Sequence, residues 1–144
     1  MITDIHHFSL TVSDMDRSLN FYIKVLDGHI ISDVIIQESA KYSVTRIPDA
    51  KLRIVFLSAY GSVIELIQYI SPVGKPLATR TYDTGSAHIA FIVDDMEATY
   101  HDFQSKGVRF KSEPVVTGSA PGTIVKCVYF LDPDGITLEL VKIG

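Results

Sequence analysis

Polar and apolar residues alternate along several short stretches of the chain, and two further stretches show helical spacing. Residues 5–12 alternate with a period of two, which predicts a strand with His7 on one face and both His6 and Phe8 on the other. A helix follows that ends at Gly28 and has an apolar stripe of Met15, Leu19, Tyr22, Val25 and Leu26. After it come three runs typical of β-structure, at 29–36, at 41–47, and at 51–69 as a hairpin turning at Tyr60-Gly61.

The second half of the chain repeats this order. His7 aligns with His88 at an offset of 81 residues, and Glu65 aligns with Glu139 at an offset of 74. The predicted elements of this half are a strand at 87–93, a helix from Met96 to Gly107, and β-type runs at 108–111, 123–131 and 136–142. We therefore expect a single α+β domain over 1–144, with module one at about 1–72, a linker at about 71–83 and module two at about 84–144.

Composition limits what such a domain can do. The 144 residues are 47% hydrophobic and 21% charged, which is typical of a globular domain with its own core. A formal net charge of −4 disfavours nucleic-acid binding, and no apolar run approaches the roughly 20 residues of a membrane span. Residues 1–15 contain no Lys or Arg and do not resemble a signal peptide, so we expect a cytoplasmic protein. The single cysteine, Cys127, excludes an internal disulfide; the repeat places it at the position of Arg53, and it is not interpreted as a nucleophile.

Histidine and glutamate recur at equivalent positions of the two repeats. His7 and His88 open the first strand of each half, and Glu65 and Glu139 lie between aliphatic residues in the last strand. Taken alone, each histidine could be an ordinary, partly exposed residue, and each glutamate could lie on the solvent face of its strand. Their recurrence favours a common site, because a carboxylate among apolar neighbours needs a partner. Two imidazoles and two carboxylates form a donor set suited to a divalent transition metal.

The residues resemble the vicinal oxygen chelate superfamily, the group of glyoxalases, bleomycin-resistance proteins and ring-cleaving dioxygenases. The resemblance extends over essentially the whole chain, and the matching segments are 5–14, 19–22, 64–66, 85–91, the turn Asp132-Pro133-Asp134-Gly135, and 138–140. It implies paired βαβββ modules that form a cupped, barrel-like mixed sheet around a metal ion. It also implies a homodimer, in which metal sites are often assembled from modules of two subunits.

Carried over to this chain, the resemblance implies that one divalent ion (Zn, Ni, Co, Mn or Fe) binds His7, Glu65, His88 and Glu139. The implied activity is that of a glyoxalase-like isomerase, epimerase or lyase on a small-molecule substrate, with proton transfer through a metal-bound enediolate or enolate. Glu65 or Glu139 then also acts as the catalytic base, and Glu65 is slightly favoured because methylmalonyl-CoA epimerases carry Gln there. Five side chains are candidates for substrate binding, and are otherwise readable as solvated strand-edge groups: Tyr42, Arg46, Arg53, Tyr82 and Lys126.

Two other functions stay open at this point. An iron(II) ring-cleaving dioxygenase of this superfamily usually has three ligands, two His and one Glu, and four modules, so the fourth ligand at Glu65 argues against it. A metal-free antibiotic-binding protein lines its groove with aromatic residues, whereas this chain has no Trp. Metal content discriminates between these alternatives, since the binding protein requires none.

Overall fold

The structure is a computed structural model that describes residues 1–39, 41, 43–77, 79–118 and 123–144. It consists of two compact units, Met1–Pro76 and Leu77–Gly144. Each unit has a strand, a helix and further strands in one mixed sheet, which confirms the predicted α+β class with two modules. Among the described residues, no helix has the length and apolar character needed to cross a membrane.

The first unit is a four-stranded sheet with one helix. Its elements are β1 (Phe8–Thr11), α1 (Met15–Lys24), β2 (His29–Gln37), β3 (Lys51–Ala59) and β4 (Ser62–Ser71). The strand order is β1-β4-β3-β2, with β1 parallel to β4 and the other pairs antiparallel. The core on the side of α1 contains Met15, Leu19, Tyr22, Val55, Leu57, Ile64 and Leu66.

The β-run predicted at 41–47 is wrong for the residues of it that the structure describes, which lie in a loop between β2 and β3. The carboxylate of Glu38 accepts hydrogen bonds from the backbone N–H groups of Val44 and Thr45 and from the hydroxyls of Ser43 and Thr45. These hydrogen bonds hold the pKa of Glu38 below its ordinary value. The backbone N–H groups of Val44 and Thr45, which in a strand would bond to a neighbouring strand, thus bond to the Glu38 side chain.

The second unit repeats the plan with a divided edge strand. Its elements are β5 (Ile89–Ile92), α2 (Met96–Ser105), β6 (Arg109–Phe110), β7 (Val115–Gly118), β8 (Ile124–Leu131) and β9 (Thr137–Ile143). The order is β5-β9-β8-β6, and β7 also pairs with β8. The sequence predicts β6 but not β7; Pro114 lies between them and cannot donate to a strand ladder. The buried side chains of this unit include Met96, Phe103, Val128, Phe130, Leu138 and Leu140.

Both helices begin at an aspartate. The side chain of Asp14 accepts from the backbone N–H of Arg17, and that of Asp95 accepts from the N–H of Ala98. These bonds satisfy donors that the first helical turn leaves without a partner. The chain enters each helix directly from the first strand of its unit, so the caps also fix where those strands end.

We expect Asp95→Ala to lower the free energy of unfolding by about 1 kcal/mol, because the Ala98 N–H loses its acceptor. Urea denaturation at neutral pH measures this change. Glu113→Ala, which removes one exposed acidic group from the same unit, is the matched control and should change stability by less than about 0.5 kcal/mol. Equal losses in the two variants would contradict a capping role for Asp95.

Candidate metal centre

Strand pairing in the first unit brings His7 to Glu65. Ser9 of β1 lies opposite Glu65 of β4, and His7 immediately precedes β1. The Nε2 atom of His7 lies 3.3 Å from Oε2 of Glu65. The Glu65 side chain is only 11% exposed. Among the described residues, His7 is the single hydrogen-bonding or ionic partner of this carboxylate.

An aromatic ring supports this pair from the neighbouring strand. Phe56 of β3 lies opposite Glu65, and its ring makes edge contacts with the rings of both His7 and His6. The Nδ1 atoms of His6 and His7 are 2.7 Å apart. The prediction that His6 faces away from His7 is therefore wrong. The prediction fails because β1 begins only at Phe8, so the alternation of side chains between the two faces of a strand does not extend back to the two histidines.

The second unit contains an equivalent pair. Nε2 of His88 lies 3.0 Å from Oε2 of Glu139, whose side chain is 14% exposed. Tyr129 of β8 lies opposite Glu139, and its ring makes an edge contact with the His88 ring at 5.2 Å. Ala90 of β5 pairs with Glu139 as Ser9 pairs with Glu65 in the first unit. The offsets of the histidines and of the glutamates thus reflect the same strand pairing in both units.

The geometry of each pair fits a divalent metal. Ligands with metal bonds of about 2.1 Å are about 3.0–3.4 Å apart in octahedral or tetrahedral sites, which matches both nitrogen–oxygen separations. Within either unit, the described residues include no cluster of three or more His, Cys, Asp or Glu side chains able to hold an ion. Each unit accordingly contains one His–Glu pair, which is half of the four-ligand set predicted from the sequence.

Cys127 lies beside Glu139, which the sequence analysis missed. It is two residues from Tyr129 on β8 and therefore shares the face of Glu139. Burial raises the pKa of the Cys127 thiol; the charge of Glu139 and a hydrogen bond to its carboxylate act in the same direction, against a hydrogen bond with Thr117. Burial likewise raises the pKa of Tyr129, with the charge of Glu139 adding to the shift.

Lys111 is a second residue that the sequence analysis missed. Its Nζ donates to Oγ1 of Thr137 at 3.0 Å and lies 5.9 Å from the centre of the Tyr129 ring. Thr137 and Glu139 are two residues apart on β9 and therefore lie on the same face of the sheet. Lys111 thus adds a cation to the face that carries Glu139. The signal in the sequence was the apolar Phe110 beside Lys111, because neighbouring residues of a strand point to opposite faces. In the structure Phe110 packs against Phe130.

Arg53 has a structural ion pair and is not brought to Glu65. Its guanidinium donates to Asp33 and Asp16, each at 2.7 Å. Arg53 is three residues from Phe56 on β3 and lies on the face of the sheet that α1 covers. Hydrogen bonds to Asp33 and Asp16 raise the pKa of Arg53, and the same contact holds the pKa of Asp33 below its ordinary value. The geometry thus separates Arg53 from the predicted ligand.

Lys126 repeats this arrangement in the second unit. Its ammonium pairs with Glu97 of α2, and the hydrogen bond lowers the pKa of that carboxyl. Lys126 lies three residues from Tyr129, hence on the face opposite Glu139.

Two further substrate-binding candidates, Arg46 and Tyr82, are not placed at either His–Glu pair. Arg46 is exposed in the loop after Glu38, with its backbone N–H donating to Ser43. Tyr82 is exposed, and its ring packs beneath the guanidinium of Arg80. Tyr42 lies outside the described residues.

The fold is that of a protein built from two βαβββ modules, each with a His–Glu pair between the start of its first strand and its last strand. The chain belongs to the Glyoxalase/Bleomycin resistance protein/Dioxygenase superfamily, whose family model matches residues 4–140. This result confirms the resemblance seen in the sequence.

Individual relatives and structures agree with this assignment. The chain is 31% identical to a 2-epi-5-epi-valiolone epimerase from an Actinomyces species, covering 96% of this chain and 79% of the relative. It is 29% identical to a probable lactoylglutathione lyase from Vibrio cholerae, covering 96% and 89%. A crystal structure of a glyoxalase family protein from Bacillus cereus has the same fold, with a TM-score of 0.82 at 16% identity and coverage of 99% and 95%.

Proposed function

We propose that this protein is a divalent-metal-dependent enzyme that moves a proton on a small-molecule substrate, as an isomerase, epimerase or lyase of the glyoxalase-like type. The observation that carries the proposal is the recurrence of one His–Glu pair in both units at the spacing of metal ligands. The residues that would hold one divalent ion are His7, Glu65, His88 and Glu139, and the proposed assembly is a homodimer. The relatives named as epimerase and lyase support both reaction types.

The chemistry that a divalent ion supplies at such a site is Lewis acidity towards neighbouring oxygen atoms of the substrate. The residues of the chain do the remaining work. A carboxylate oxygen of Glu65 or Glu139 accepts the proton that leaves the substrate carbon and returns it. Phe56 and Tyr129 flank the carboxylates and limit access of water to them. Lys111 can hold an anionic or hydroxyl group of the substrate near Glu139.

Metal uptake and hydrogen exchange test this function together. We expect the purified protein, loaded in turn with Zn, Ni, Co, Mn and Fe(II), to retain about one equivalent of at least one of them by elemental mass spectrometry. In deuterated water, the loaded protein should then exchange a carbon-bound hydrogen in a panel of α-hydroxycarbonyl compounds, thioesters and cyclic polyol ketones. Retention of none of these metals would overturn the enzyme and leave a small-molecule binding protein. Oxygen-dependent ring cleavage of catechols without exchange would instead identify a dioxygenase.

A further inference from the structure

His6 contacts both His7 and Phe56, and the proposed function gives it no role. Its ring meets the His7 ring edge-on with centres 5.0 Å apart, and meets the Phe56 ring at 6.1 Å. The two Nδ1 atoms are 2.7 Å apart, which is a hydrogen-bond distance. Because one hydrogen lies between two ring nitrogens, one imidazole must donate and the other must accept.

We propose that His6 is a positioning residue that accepts a hydrogen bond from Nδ1 of His7 and so holds His7 in the tautomer that binds metal. This inference rests on the proposed function. Nε2 of His7 faces Glu65 and is the ligand atom, so its lone pair must be free of hydrogen. The hydrogen of a neutral His7 then lies on Nδ1, where only His6 is within reach among its described contacts. A partner of this kind fixes both the tautomer and the orientation of a ligand histidine.

The same contact also suits the protein before metal binds. With its hydrogen on Nε2, His7 donates to Glu65 across 3.3 Å, and its Nδ1 becomes an acceptor. His6 then donates from Nδ1, because a neutral imidazole can present either a donor or an acceptor at that atom. His6 therefore keeps its hydrogen bond in both tautomers of His7. A side chain with only donors, such as lysine, would favour the tautomer that cannot bind metal.

The second unit lacks this device at the equivalent position. Ala87 precedes His88 as His6 precedes His7, and a methyl group offers no hydrogen-bonding atom. Tyr129 occupies the place of Phe56 against the histidine ring, so ring packing is shared while the second imidazole is not. The positioning role is thus specific to the first half of the ligand set.

The wild type and two variants of His6 separate the effect of the hydrogen bond from that of ring packing. His6→Phe keeps an aromatic ring against Phe56 but has no nitrogen, whereas His6→Asn places an amide that can accept or donate near the position of Nδ1. Affinity for Zn²⁺ and Co²⁺ is measured by competition with a chromophoric chelator, and circular dichroism checks the fold. We expect His6→Phe to bind roughly 10–100-fold more weakly than wild type, and His6→Asn to recover most of that loss. The visible spectrum of the cobalt form should change in His6→Phe and return in His6→Asn.

A measurement on the unaltered protein tests the tautomer directly. Long-range ¹H–¹⁵N spectra of the zinc-loaded wild type should show hydrogen on Nδ1 of His7 and on Nε2 of His6. Hydrogen on Nδ1 of His6 in the zinc form would overturn the inference, as would wild-type affinity in His6→Phe or failure of His6→Asn to recover binding. Each of these results leaves the metal site itself intact. Absence of metal binding in the wild type overturns the proposed function and this inference with it.

Discussion

Replacing His88 with alanine is expected to weaken binding of the divalent ion by roughly 10²–10³-fold. If a metal-binding free energy of about 10–16 kcal/mol is divided equally among four ligands, the loss of one ligand costs about 2.5–4 kcal/mol, and each 1.4 kcal/mol is tenfold in affinity. The side chain lies at the surface of its sheet beside Glu139, so its removal leaves the core unchanged. Competition with a chromophoric chelator gives the affinity, and thermal unfolding with and without metal reports the stabilisation that bound metal provides.

The control is His101→Ala in the same unit. His101 is exposed on α2 and contacts Gln104, so its removal deletes an imidazole without touching a His–Glu pair. We expect this variant to bind metal like the wild type. If both variants lose affinity equally, or neither does, the assignment of His88 as a ligand is wrong.

The pairing of His with Glu could be anticipated because it depends on repetition and strand period alone. An offset of 81 between the first strands and of 74 between the last strands marks equivalent elements, and parallel pairing in each unit brings the two ends together. The structure places Ser9 against Glu65 and Ala90 against Glu139, in agreement with those two offsets. The repeat thus predicted which residues form the two His–Glu pairs, and their role as ligands stays a prediction.

The environment of the pairs could not be anticipated, because the β8–β9 hairpin is one residue longer than the β3–β4 hairpin. The offset between equivalent residues of the two halves therefore changes by one within the hairpin. Phe56 pairs with Glu65 nine positions later, whereas Tyr129 pairs with Glu139 ten positions later. The offset of 74 is therefore wrong for β3 and β8, where the paired positions differ by 73. A slip of one residue moves every side chain of a strand to the other face.

This slip explains both an error and an omission. It placed Cys127 on Arg53, whereas strand pairing makes Lys126 the counterpart of Arg53. Both cations pair with an acid on the helix that covers their sheet, and Cys127 lies on the face of Glu139. The length of a hairpin depends on the geometry of its turn. The two-residue turn at Tyr60-Gly61 and the longer turn at 132–136 share no sequence pattern that would predict the difference in hairpin length.

Glu65→Gln is expected to lower the rate of substrate hydrogen exchange by roughly 10²–10⁴-fold while the ion stays bound, because an amide keeps a ligand oxygen but cannot accept the proton. Glu139→Gln should have the smaller effect. The Glu139 carboxylate shares its face of the sheet with the Cys127 thiol. Among the described residues, His7 is the single hydrogen-bonding or ionic partner of Glu65, so the Glu65 carboxylate is the less engaged of the two by neighbouring polar groups. Exchange rates are compared at equal metal occupancy, measured by elemental mass spectrometry. A larger loss in Glu139→Gln would assign the proton transfer to the second unit, and unchanged exchange in both variants would exclude the two carboxylates as the proton acceptor.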